Sequence, residues 1–124
     1  MAHVHPTVLV IDDEVEVRDA LGDFFRRNGY AVGSAISGTT ALALLEGGFR
    51  PCIIVMDLLM PDTNGFQFRT EQLRHPELAT IPLIAHSGVG EIAHYARLLE
   101  ATAYIQKPAE LEAVLAVVLE HCLK

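Results

Sequence analysis

Cys52-Ile53-Ile54-Val55-Met56-Asp57-Leu58-Leu59-Met60-Pro61 is the stretch whose reading decides the fold. Its first five residues are apolar throughout, as in a strand covered on both faces. The run then ends in a carboxylate and a turn that leads into proline. A carboxylate at the exit of a buried strand is costly unless something pairs with it. Two other strand-like runs end in such partners. Thr7-Val8-Leu9-Val10-Ile11 is followed by Asp12-Asp13-Glu14, and Ala103-Tyr104-Ile105-Gln106 is followed by Lys107.

Working outward, strand-like runs alternate with helix-like runs along the chain, which predicts stacked βα units and a parallel sheet. Strands are expected at 7–11, 31–37, 52–56, 81–86 and 103–106. The second and fifth, weaker or shorter, suit the edges. Helices are expected at 15–28, 39–46, 65–74, 91–100 and 109–123. Asn28-Gly29 and Gly47-Gly48 stop the first two. The last helix carries a broad apolar stripe of Leu111, Val114, Leu115, Val118 and Cys122, widened by Val117 and Leu119. That stripe suits a buried face, and it leaves room for contact with a partner.

Composition bounds the rest. At 124 residues and 51% hydrophobic, the chain is expected to be a single domain, 1–124, with a substantial core. The net charge of -7 disfavours direct nucleic-acid binding, which calls for a basic surface. No apolar run approaches the roughly 20 residues of a membrane span, and Met1-Ala2-His3-Val4-His5-Pro6 has no signal-peptide pattern. The only two cysteines, Cys52 and Cys122, are expected as buried free thiols in a reducing, cytoplasmic setting. His3 and His5 match a metal-binding pair in spacing only. His86 precedes Ser87 on its strand and is expected to point to the opposite face of the sheet.

In an open parallel sheet, ligands gather at the carboxyl ends of the strands. Asp12, Asp13, Asp57, Ser87 and Lys107 all fall there. Neighbouring strands lie only about 4.8 Å apart, so these side chains crowd one rim. Three carboxylates in that space repel one another. A Mg²⁺ ion, which takes oxygen ligands, resolves the repulsion and can bridge to a phosphoryl oxygen. Asp57 then serves as a nucleophile toward phosphorus. Lys107 neutralises one phosphoryl oxygen and Ser87 hydrogen-bonds another, with Gly88 leaving space for the group. Each residue alone has an ordinary use, as a helix cap, an Asx turn or a solvated lysine. Their joint placement at successive strand ends carries the reading.

These motifs resemble the receiver domain of two-component response regulators, including the chemotaxis regulator, over essentially the whole chain. The resemblance rests on Val8-Leu9-Val10-Ile11-Asp12-Asp13-Glu14, on Val55-Met56-Asp57-Leu58-Leu59-Met60-Pro61 with Asn64-Gly65, on Ile84-Ala85-His86-Ser87-Gly88, and on Tyr104-Ile105-Gln106-Lys107-Pro108. It implies a flavodoxin-like (βα)5 three-layer sandwich with a five-stranded parallel sheet of order 2-1-3-4-5. It implies a phosphorelay switch rather than an enzyme. Asp57 would accept a phosphoryl group from a sensor histidine kinase or a histidine phosphotransfer protein. Asp12, Asp13, Asp57 and the Leu59 backbone carbonyl would hold Mg²⁺. Lys107 would contact the phosphate, and the Lys107-Pro108 peptide would be cis. Ser87 and Tyr104 would form the switch, with Tyr104 swinging inward. The fourth helix, fifth strand and fifth helix would then control a downstream protein or output domain.

The chain departs from the family pattern in three places. The stretch from Ser87 to Lys107 is about two residues short, and Ala101-Thr102-Ala103 lacks the glycine that commonly ends the fourth helix, so that helix is expected to be shortened or displaced. The positions that tune phosphate loss hold Leu59 and Val89, neither able to orient water, which predicts slow self-hydrolysis. The alternative function is a phosphorylation-independent binding module on the same fold. No output domain follows the last helix, which fits either a stand-alone regulator or a piece of a longer one.

Overall fold

Along the first strand, Val8 and Val10 face one side of the sheet while Leu9 and Ile11 face the other, and all four are fully buried. Period-two alternation with apolar residues on both faces demands a layer of helices on each side. The computed structural model, which describes residues 6–60 and 65–122, provides both. Strands β1 (Thr7–Ile11), β2 (Ala31–Ala35), β3 (Ile53–Met56), β4 (Leu83–Ser87) and β5 (Ala103–Gln106) pair in parallel in the order β2-β1-β3-β4-β5. Helices α1 (Val15–Arg27) and α6 (Leu111–Cys122) cover Val8, Val10, Ile53, Val55 and Ile84. On the opposite face α2 (Gly38–Glu46), α3 (Gly65–Arg74) and α5 (Ile92–Leu99) cover Leu9, Ile11, Ile54, Met56, Leu83 and Ala85. This is the flavodoxin-like three-layer sandwich with strand order 2-1-3-4-5.

Local chemistry sets the element ends. Strand β2 stops at Ala35 because Ser37, expected within it, caps α2 instead, its hydroxyl accepting from the Thr40 amide at 3.2 Å. Strand β4 begins at Leu83 rather than Ile81. A one-turn helix, α4 (Pro76–Ala79), which periodicity did not predict, draws the Ile81 amide onto the Leu78 carbonyl at 3.1 Å. Pro82 then has no amide to give to a ladder. Gly65 opens α3 against the end of β3. A Cβ there would lie 3.0 Å from both Leu58 Cδ2 and Met56 Cε, so glycine lets the helix approach this close without displacing either side chain.

Helix α5 is short, as the missing glycine predicted. It has eight residues and is bounded by Glu91 at φ 57° and Glu100 at φ 55°. A left-handed residue with a side chain costs about 1–2 kcal/mol. The compensation comes from α3. Buried Arg69 donates through Nε to the Leu99 carbonyl at 2.9 Å and through Nη2 to the Glu100 carbonyl at 2.7 Å. Its Nη1 donates to Gln72 Oε1 at 2.8 Å, and Gln72 Nε2 donates to the Leu78 and Ile81 carbonyls. A charged side chain thus caps the helix that lacks its glycine.

The expectation of free thiols is corrected. Cys52, at the entrance to β3, is bonded to Cys122, at the end of α6, with Cα atoms 5.3 Å apart at a sequence separation of 70. Residue spacing does not encode that proximity; the packing of α6 across the sheet creates it. No helix among the described residues is long and apolar enough to cross a membrane. His3, His5, Pro61, Asn64 and Leu123 lie outside the described residues.

Candidate functional site

The sheet ladder continues one step beyond its strands and so aligns the site. The Asp12 amide donates to the Ala35 carbonyl, the Asp57 amide to the Ile11 carbonyl, and the Lys107 amide to the Ser87 carbonyl, at 3.1, 2.9 and 2.9 Å. Register places Ile11 beside Met56, Met56 beside Ala85, and Ser87 beside Gln106. Asp12, Asp57, Ser87 and Lys107 therefore meet at the carboxyl rim of four adjacent strands, as the strand-end placement predicts. Asp13 joins them from the turn before α1.

Their bonds form one charged knot. Lys107 Nζ donates to Asp12 Oδ2 at 2.9 Å, Glu14 Oε1 at 2.9 Å and Asp57 Oδ2 at 3.0 Å. The other Asp57 oxygen, Oδ1, accepts from the Ser87 hydroxyl at 2.6 Å and from the Leu59 amide at 3.1 Å. Asp12 Oδ1 accepts from the Glu14 amide at 2.9 Å, and Arg18 Nη1 donates to the Asp12 carbonyl at 2.7 Å. Asp12, Asp57 and Ser87 are buried, while Asp13 and Glu14 are exposed.

Electrostatics follow from this crowding. Burial pulls the Lys107 pKa down, but its hydrogen bonds to Asp12, Glu14 and Asp57 outweigh that and hold it above the usual lysine value. Asp12 is nevertheless raised above the usual carboxylate value. Burial is the largest cause, and the lowering by Lys107 and the Glu14 amide does not overcome it. The two partners move the same way because one ammonium is shared among several carboxylates, and Asp12 is the one most deprived of water.

Lys107 on the carboxylates and Arg18 on the Asp12 carbonyl face the four carboxylates of Asp12, Asp13, Glu14 and Asp57, which still leaves a deficit of positive charge. Carboxylate oxygens of Asp12, Asp13 and Asp57 all lie within 4.8 Å of one another. A six-coordinate ion with ligands at about 2.1 Å spans about 4 Å between opposite oxygens, so the cluster fits a small divalent cation. The donors are all hard oxygens, which suit magnesium rather than zinc or copper.

Sequence reasoning missed several participants. Glu14 was seen as part of the acidic trio but given no part of its own, yet it shares Lys107. The Leu59 contact present is its amide, donating to Asp57. Gln106 Nε2 donates to the Ser87 and Val89 carbonyls at 3.2 Å each, tying β5 to the loop after β4. The Lys107-Pro108 peptide is cis. Tyr104 stands 50% exposed while Ser87 is already bonded to Asp57, so the two switch candidates do not sit inward together.

Known proteins resemble this chain in sequence and in fold. The chain is 30% identical over 113 residues to the DNA-binding dual master transcriptional regulator RpaA of Synechocystis sp., which covers 90% of this chain and 46% of that protein. It is 32% identical over 102 residues to the response regulator SaeR of Staphylococcus aureus, covering 82% and 43%. The chain thus spans less than half the length of either relative. A putative response regulator from Chloroflexus aurantiacus superposes with a TM-score of 0.88 at 27% identity, over 98% of this chain and 100% of that one. The profile of the response regulator receiver domain matches residues 8–119. That match runs from β1 into α6 and includes every strand end that builds the acidic rim, so the chain belongs to the response regulator receiver domain family.

Proposed function

We propose that residues 1–124 form one receiver domain whose phosphoacceptor is Asp57, with a phosphohistidine on a sensor histidine kinase or histidine phosphotransfer protein as donor. The observation that carries this is the position of Asp57. It is a buried carboxylate at the centre of the rim, bonded on one oxygen by Ser87 and on the other by Lys107. As a receiver domain the chain is a regulatory signalling module rather than a catalytic enzyme.

In the transfer, a carboxylate oxygen of Asp57 forms the new O–P bond as the P–N bond of the phosphohistidine breaks. The electron pair stays on the imidazole nitrogen, which takes up a proton. Positioning and charge stabilisation carry such a reaction. Lys107 and Ser87 already touch the two Asp57 oxygens, so each needs only a small shift to reach a phosphoryl oxygen. Gly88, exposed beside Ser87, leaves that approach open. Asp12, Asp13, Asp57 and the Leu59 carbonyl would hold Mg²⁺. When bound, the ion offsets negative charge on the carboxylates and on the incoming phosphoryl group.

Output follows from differential binding. The phosphoryl group favours whichever arrangement of Ser87 and Tyr104 serves it better, and the change at the surface is limited by that difference. The surface formed by α5, β5 and α6 suits a downstream protein or output domain, because Leu98, Tyr104 and Leu119 stand exposed on these elements. Acetyl phosphate with Mg²⁺, followed by mass measurement of the intact protein, tests the acceptor. The expected result is a phosphoryl adduct in the wild type and none in Asp57→Asn. An unmodified wild type would instead support the phosphorylation-independent binding module.

A further inference from the structure

Ser87 can hold a phosphoryl oxygen only while the backbone that carries it stays beside Asp57. That backbone opens the loop Ser87-Gly88-Val89-Gly90 between β4 and α5, whose glycines lose more freedom on ordering than other residues do. Yet the Ser87 hydroxyl stands on Asp57 Oδ1 at 2.6 Å, so the loop needs a tie. Its internal bond is weak, with the Val89 amide 3.4 Å from Ser87 Oγ, beyond the usual range for such a donor.

Gln106 supplies the tie. It is the last residue of β5 and the register partner of Ser87. A primary amide carries two N–H donors on one nitrogen. Gln106 Nε2 directs one to the Ser87 carbonyl and the other to the Val89 carbonyl, each 3.2 Å away. The Ser87 carbonyl also accepts from the Lys107 amide at 2.9 Å, which fills its two lone pairs. The two Gln106 bonds bracket Gly88, so a movement that carries Ser87 and Val89 away from β5 must break them. Chemistry selects this side chain. Asn is one methylene shorter, an ionised Glu has acceptors only, and an aliphatic side chain has no donor. Tyr104, on the same strand, stands 50% exposed, so the side-chain link from β5 to the loop is that of Gln106.

We propose that Gln106 is a positioning residue for phosphoryl transfer, its side-chain amide clamping the loop after β4 and so keeping the Ser87 hydroxyl on Asp57. Its part in the reaction rests on Asp57 being the phosphoacceptor; the clamp does not. Gln106→Met, similar in length and without donors, tests both. NMR order parameters of the whole chain read the clamp. Those of the Gly88, Val89 and Gly90 amides should fall from about 0.85 to below about 0.6, while α1 stays rigid. Acetyl phosphate with Mg²⁺, followed by mass measurement over time, reads the reaction. The adduct should form several-fold more slowly in Gln106→Met, up to the roughly 30-fold that two neutral hydrogen bonds are worth. The Mg²⁺ concentration giving half the maximal rate should not change, because Gln106 bonds none of the carboxylates. A residue of purely structural value would lower the urea midpoint and leave the rate of the folded protein as it was. Unchanged order parameters overturn the clamp, and a looser loop with an unchanged rate overturns its part in the transfer. A wild type that takes up no phosphate would sink the acceptor reading instead, and the order parameters would still decide the clamp.

Discussion

Acidification from about pH 7 to about pH 4 should cost the wild-type fold stability that a His86→Leu variant retains. His86 has a pKa lowered from 6.5 to about 4, first by burial and then by Lys107, with Asp57 and Glu14 pulling the other way. The unfolded chain takes up this proton near pH 6.5, while the folded chain resists it until near pH 4. Between those values the unfolded state binds more protons. Stability therefore rises with pH across the window and is lost as pH falls through it. At about 1.4 kcal/mol per pKa unit, the gap is worth about 3 kcal/mol. Asp12 acts with the opposite sign. Its raised pKa lets the folded state bind more protons above the ordinary value of 3.8, so its contribution falls as pH rises. Urea unfolding at steps of pH for both proteins separates the two, because Asp12 titrates in each and cancels in the difference. The expected difference curve grows by about 3 kcal/mol between pH 4 and pH 6.5. A flat difference, or one that grows toward acid, would refute the reasoning that His86 is buried and neutral.

Three further outcomes are expected. Arg69→Met removes the donors to the Leu99 and Glu100 carbonyls and should destabilise by about 2–4 kcal/mol. Hydrogen exchange of the α5 amides should quicken with it, and unchanged protection would show that the helix end needs no arginine cap. Leu59→Asn places a polar group on an exposed position beside Asp57. It should speed loss of the acyl phosphate roughly tenfold, below the 10²–10⁴ of a positioned general base; an unchanged decay, followed by mass measurement over time, would remove the rationale. Reduction of the Cys52–Cys122 bond opens a loop of 70 residues. It should lower stability by up to about 4 kcal/mol on the chain-entropy model, seen as a reductant-dependent urea midpoint that Cys52→Ser no longer shows.

How far the fold was legible depended on the kind of signal. Strands β1 and β5 and helix α3 appear at their expected bounds, because apolar runs and helical spacing are local properties that water reads directly. Boundaries moved where a side chain competed with the backbone. Ser37 left its strand to cap a helix, and Pro76 to Ala79 formed a turn that delayed β4. The shortened α5 was foreseen from a missing glycine, but its replacement by Arg69 was not, since nothing in the spacing of Arg69 and Glu100 announces their contact. The pairing of Cys52 with Cys122 was misread for the same reason.

The acidic and basic residues of the site were visible because each closes a strand, and parallel strands deliver their ends to one rim. Sequence alone thus determined the layered fold and placed Asp12, Asp13, Asp57, Ser87 and Lys107 at one rim, which follows from hydrophobic periodicity and from the cost of stranding a charge at the end of a buried strand. Only the tertiary structure decided how those charges are shared. It gave Lys107 to three carboxylates at once, brought Ser87 onto Asp57, left Tyr104 outside and buried His86 with no hydrogen-bond partner for its Nδ1 among the described residues. The physical reason is range: periodicity acts within a few residues, whereas a hydrogen bond about 3 Å long between residues up to 95 apart exists only after the layers have packed.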